Sequence, residues 1–147
     1  MKGQYLLVSV VAAAPALTAC GSPAPSAALP NDRWTPGNAL PVTPAQVCVP
    51  GYASRTRMPL TTWKQVAPQV FRTYGIPWSQ HSAYELDHLI PLELGGSNAV
   101  DNLWPEPHPR SFVVDAEENR LHDDVCAGQV SLGAAQRQIL QEKRTRG

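Results

Sequence analysis

The sequence carries no excess charge of either sign: 12 Lys and Arg stand against 12 Asp and Glu in 147 residues. Proteins that hold nucleic acid over a long contact are usually basic, because neutralising phosphates supplies most of their affinity. A long phosphate-tracking surface is therefore excluded, and any nucleic acid would be gripped through few phosphates. The chain has no apolar run long enough for a stable membrane-spanning helix, no C-x-x-C pair of the kind that builds zinc sites, and no internal repeat.

Proline and glycine, by contrast, are abundant, at 15 and 10 residues. They concentrate in 21–51 and 105–109, so the core-forming part is smaller than the length suggests, about 100 residues. A domain of that size gains from a covalent staple.

Residues 5–19, YLLVSVVAAAPALTA, form a short, alanine-rich apolar run behind the single positive charge of Lys2. This is the pattern of a cleavable export signal. Its removal leaves the mature chain at about −1. The run closes on Leu17-Thr18-Ala19-Cys20, which resembles the lipobox of bacterial lipoproteins. That resemblance implies lipidation of Cys20 and a membrane anchor in the cell envelope; the plain alternative is an ordinary signal peptide with an unrelated cysteine. Residues 1–19 are thus read as signal peptide, 20–46 as tether and Pro-rich linker, and 47–147 as the folded domain. Three cysteines are an odd number for an exported chain. With Cys20 lipidated, Cys48 and Cys126 remain as a disulfide pair in an oxidising compartment.

Within the domain, Trp63, Val66, Val70 and Tyr74 recur at helical spacing behind Thr61 or Thr62 as cap, with Gly75 and Pro77 as terminators. Pro68 inside that pattern predicts a kink or a late start. Tyr84 to Ile90 is a strand candidate, Gly95-Gly96-Ser97-Asn98 a turn, and Val100 to Trp104 a second strand stopped by prolines 105, 107 and 109. A helix over roughly 111–125 carries Val114, Leu121 and Val125 on one stripe. Ser131 caps a last helix with Leu132, Ala135 and Ile139 on one side. Its final Lys143, Arg144 and Arg146 suit a helix C-terminus. The fold class is α+β: a small hairpin-plus-helix core with flanking helices, expected to be monomeric.

The chemistry concentrates in Glu85-Leu86-Asp87-His88-Leu89-Ile90-Pro91. Consecutive strand residues point to opposite faces, so Asp87 and His88 can share a site only if the strand twists or breaks. A carboxylate is a hard ligand for Mg²⁺ or Ca²⁺, and a neighbouring histidine can take a proton from water. Together they suit phosphodiester hydrolysis. Asp87 as a turn cap and His88 as a half-buried, satisfied imidazole is the bland alternative.

Asn102 follows His88 after thirteen intervening residues. With Asp87-His88-x-Ile90-Pro91, Gly95-Gly96, Asn102-Leu103 and a helix downstream, the chain resembles the HNH endonucleases, which have a ββα-metal fold. Residues 48–139 look more closely like a group of secreted bacterial HNH-like proteins. The resemblance implies a metal-dependent endonuclease acting on DNA or RNA outside the cytoplasm. His88 would be its general base and Asp87 a ligand to one divalent ion (Mg²⁺, or Mn²⁺, Ca²⁺ or Zn²⁺). Asn102 would be the residue that bridges the loop and aims His88. The family places a His or Asn nine residues beyond the central Asn, where this chain has Ser111. Glu118, between Val114 and Leu121 on the inward stripe, is the first candidate for the missing ligand, and Asp115 the second. The alternative for Glu118 is an ion pair with arginine. His108 and His122 lie less well on that face. Trp104 reads as core, His81 as surface, and Arg55, Arg57, Lys64 and Arg72 as a phosphate-facing patch or merely solvating charges. The rival function is a non-catalytic envelope lipoprotein that keeps the scaffold for binding, favoured by the neutral charge and Ser111.

Overall fold

The structure, a computed structural model, describes residues 29–145; the signal-peptide and Cys20 readings lie outside them. It is a mixed α+β arrangement around one two-stranded antiparallel sheet. Helix α1 (Pro44–Val47) opens on a capping box in which Thr43 and Gln46 satisfy each other's backbone amides. Helices α2 (Tyr52–Thr56) and α3 (Leu60–Thr73) follow, then strands β1 (Tyr84–His88) and β2 (Leu103–Pro107), and helices α4 (Arg110–Cys126) and α5 (Leu132–Thr145). Among the described residues no helix is long and apolar enough to cross a membrane.

Several local expectations need correction. Helix α3 begins at Leu60, ahead of the threonines, and runs through Pro68, so only the bond that residue 68 would have donated to the Lys64 carbonyl is lost. Burial of Ala67, Val70 and Phe71 offsets that loss. The second strand starts later than expected and includes Pro105 and Pro107, while Val100–Asn102 forms a 3₁₀ turn. The physical reason is register. Asn102 accepts from Leu89 N and His108 N donates to Ala83 O, so even-numbered residues face β1. Pro105 and Pro107, opposite Leu86 and Tyr84, turn their missing amides to the open edge, where a strand tolerates proline. Part of the stretch read as linker packs on the domain: Thr35 is fully buried and donates to Leu103 O, and Ala39 bridges to Gly96.

The hairpin lies between two apolar clusters. Ala67, Val70, Phe71 and Ile76 pack with Tyr84, Leu86 and Leu103 on one side. On the other, Val47, Ile90 and Leu94 pack with Val114, Leu121, Val125, Leu132, Ala135 and Ile139. The disulfide Cys48–Cys126 ties the segment after α1 to the last residue of α4, with Cα atoms 5.5 Å apart. Closing a loop of 78 residues in sequence is worth at most about 4–5 kcal/mol by chain entropy.

Candidate active site

The loop between the strands is bridged by one buried side chain. Asn102, fully buried, donates through Nδ2 to Ile90 O and Ser97 O, both at 2.9 Å. Its Oδ1 accepts from Ile90 N (2.9 Å) and Asn38 N (3.2 Å). Gly96 lets the loop close: a Cβ there would lie 1.7 Å from Ile90 O, so no other residue fits. This is the bridging geometry that the resemblance implies for Asn102.

His88 ends β1, almost buried at 9% exposure. Its Nε2 lies 2.9 Å from Asn98 Oδ1, and Asn98 Nδ2 donates to Thr56 O at 2.7 Å. Because the amide nitrogen must face the Thr56 carbonyl, its oxygen faces the imidazole, and Nε2 is the protonated nitrogen. Nδ1 therefore keeps the lone pair. Burial holds the His88 pKa below its usual value, against the opposing pull of Asn98 and Asp87, so the ring is neutral near pH 7. Sequence reasoning had Asn98 only as a turn residue.

Asp87 has different partners, although it lines the smaller cavity together with His88. β1 remains regular through His88, with Asp87 paired to Trp104 and His88 to Leu103, so the break that would join their side chains does not occur. Asp87 is ion-paired to Lys143, whose ammonium is completely buried. The same Nζ lies 2.5 Å from Glu118 Oε1 and donates to His88 O at 2.7 Å. Glu118 thus faces the hairpin near Asp87, as the helix stripe implies, but its partner is a lysine rather than a metal or an arginine. The reading of Lys143 as a charge merely suiting the helix end is corrected here. It continues the buried stripe Leu132, Ala135, Ile139 of α5. That spacing, with a buried carboxylate in need of a cation, was the signal that could have revealed it.

The electrostatics follow from this geometry. Burial alone would raise the Asp87 pKa, yet the Lys143 ammonium overrides it and holds the carboxyl below its usual range. Burial works against the lysine's own charge too, but Asp87, Glu118 and Glu106 outweigh it. Burial pushes Glu118 up to about 8, and pushes Glu106, beside Asp87, up to about 8 as well. Glu106 is 1% exposed, and its only cationic neighbour on α4 is Arg110, at 3.6 Å.

Two cavities meet at His88. One, about 620 Å³, is lined by Arg57, Trp63, Trp78, Tyr84, Glu85 and His108 among others. The other, about 80 Å³, is walled by Asp87, Glu93, Asp115, Glu118 and Arg57. Asp115, the second ligand candidate, is exposed at this cavity. Ser111, at the departing motif position, is buried and bonded to His108 Nδ1 at 2.8 Å. His81 is exposed and stacks on Trp78, and Trp104 is fully buried core.

The residues expected to hold a divalent ion do not fit one as they stand. An ammonium already occupies the point between Asp87 and Glu118, and two cations cannot share it. Among the described residues, the group whose ligand atoms converge within 4.8 Å is instead Cys48, His122 and Cys126. That cluster can hold a metal ion. It could do so only after reduction, because the sulfurs are joined to each other. His122 Nε2 sits 3.5 Å from Cys126 Sγ.

No family model matches the chain, and no curated protein or solved structure matches it either.

Proposed function

We propose that this is an exported hydrolase of nucleic-acid phosphodiesters in which His88 Nδ1 is the general base. The observation that carries this reading is the locked imidazole: neutral, with Nε2–H bound to Asn98, on a residue that lines both cavities. The ββα order of hairpin and α4 supports the HNH resemblance, as does the Asn102 clamp. A water held at Nδ1 gives up its proton as its oxygen attacks phosphorus. The opposite P–O bond breaks, and the leaving oxygen takes a proton from solvent. Arg57, exposed and lining both cavities, is placed to pair with the phosphate. No step passes through a divalent ion, since Lys143 stands between the expected ligands.

A second reading, a non-catalytic envelope lipoprotein retaining the scaffold, is favoured by one observation: the Lys143 ammonium filling the expected metal position. Cleavage of plasmid and of single-stranded DNA and RNA by the full chain separates the two. The hydrolase reading expects products in EDTA that disappear in His88→Ala. Products only with added Mg²⁺, Mn²⁺, Ca²⁺ or Zn²⁺ would mean that a metal displaces Lys143. No product under any of these conditions leaves the scaffold.

A further inference from the structure

The larger cavity is too apolar for its position beside a phosphate-handling histidine unless something other than phosphate enters it. Its wall includes Trp63 and Trp78, with ring centroids 6.3 Å apart, and Tyr84. Trp78 is 41% exposed although it is backed by Phe71 at 5.5 Å and stacked on His81 at 4.4 Å. Leu60 at the mouth is 65% exposed. Leaving these apolar groups against water is unfavourable, and a volume of about 620 Å³ is in the range of ligand clefts. The rest of the lining includes polar groups, His88, His108 and the exposed Arg57. The one acid in the lining, Glu85, is half-buried, and burial shifts its carboxyl toward the neutral form. An aromatic wall leading to a cation and a histidine is complementary to a ring joined to a phosphate.

We infer that the cleft receives one unpaired nucleobase of a single-stranded nucleic acid, which sets the adjoining phosphodiester at His88. This rests on the hydrolase reading and adds the substrate class. A base in a duplex is stacked and paired and must be extruded first, which costs binding energy that a single strand does not spend. The balanced charge, 12 against 12, points the same way: a chain without a basic stripe gains little from the doubled phosphate density of a duplex. Stacking on aromatic side chains is tolerant of sequence, so the cleft should accept any base.

The test is tryptophan fluorescence of the full chain carrying His88→Ala, titrated with a short single-stranded DNA, its duplex, and the same strand with one abasic position. Quenching by the single strand is expected, with binding about tenfold or more tighter than to the duplex. Trp78→Ala should weaken single-strand binding about 5- to 150-fold. Leu60→Glu at the exposed mouth should weaken it without disturbing the core, and covers the case in which the tryptophan variant misfolds. Equal affinity for the duplex, or affinity indifferent to both variants and to the abasic position, overturns the inference. Binding of this pattern with no cleavage by the wild type leaves the base-binding cleft standing and removes the hydrolase. Cleavage of duplex and single strand alike, with no quenching, does the reverse.

Discussion

Asp87 and His88 are adjacent in sequence and opposite in environment. Asp87 lies in an ion cluster where it, Glu118 and Glu106 share the one ammonium of Lys143. His88 looks toward two cavities, its ring fixed by Asn98 and its loop by Asn102. One is held in an ion cluster at the wall of the smaller cavity; the other, the proposed base, is held by an amide and lines both cavities. Strand alternation gives the two side chains different partners, and in the proposed reading the proton transfer falls to His88 alone.

The comparison breaks most sharply if His88 is removed. His88→Ala should reduce turnover about 10²- to 10⁴-fold while the melting temperature shifts little, since the ring makes one side-chain hydrogen bond. Comparable cleavage by wild type and variant would dissolve the distinction between the two faces.

Lys143→Met tests the other face. Losing a fully buried cation leaves Asp87 and Glu118 without their counter-charge, and urea denaturation should show a loss of about 3–5 kcal/mol. A variant of unchanged stability would mean that the carboxylates do not need the ammonium. Calorimetric titration of the same variant with Mg²⁺ asks whether the vacated point then takes a metal.

The cluster also predicts a pH dependence that His88 does not. The folded-state pKa of Glu106 is raised from the usual 4.5 to about 8, so between these values the folded state binds more protons than the unfolded one. The stability from Glu106 is therefore fully present below the lower value and is lost as pH rises through the upper. Melting temperature should fall between pH 6 and pH 9, and Glu106→Gln should flatten the slope. A melting temperature that rises over this range contradicts the assignment.

The smallest effect sharpens the front face. Asn98→Ala removes the acceptor of Nε2–H, so the His88 pKa should drop further, because Asn98 raises it. Both neutral tautomers should then appear in ¹⁵N spectra of His88. Turnover should fall about tenfold or less, through misdirection of the base rather than its loss. A tautomer unchanged in the variant would show that something other than Asn98 holds the ring.

Much of the scaffold was legible in the chain itself. The stripes Val114–Leu121–Val125 and Leu132–Ala135–Ile139 both face the core, because helical periodicity is a local property. Cysteine counting paired Cys48 with Cys126, and Glu118, placed by its stripe, faces the hairpin. The Gly95-Gly96 turn was visible, but that Gly96 is required by the Ile90 carbonyl was not, since that contact depends on how the loop closes. Strand bounds were misjudged at Pro105 and Pro107 because their tolerance depends on which edge faces β1, a matter of pairing register.

What tertiary structure alone decided is which charges meet. Lys143 is 56 residues from Asp87, and although the α5 stripe turns it inward, the stripe does not say which carboxylates it meets. Asn98 locks His88 only because Thr56, 42 residues away, orients its amide. Sequence by itself determined the hairpin, the three longer helices in outline, their inward stripes and the histidine with its neighbours, since periodicity and spacing act along the chain. The identity of the counter-charge and the direction of the free nitrogen came from packing between distant segments, where Coulomb energy and hydrogen-bond geometry depend on distance in space.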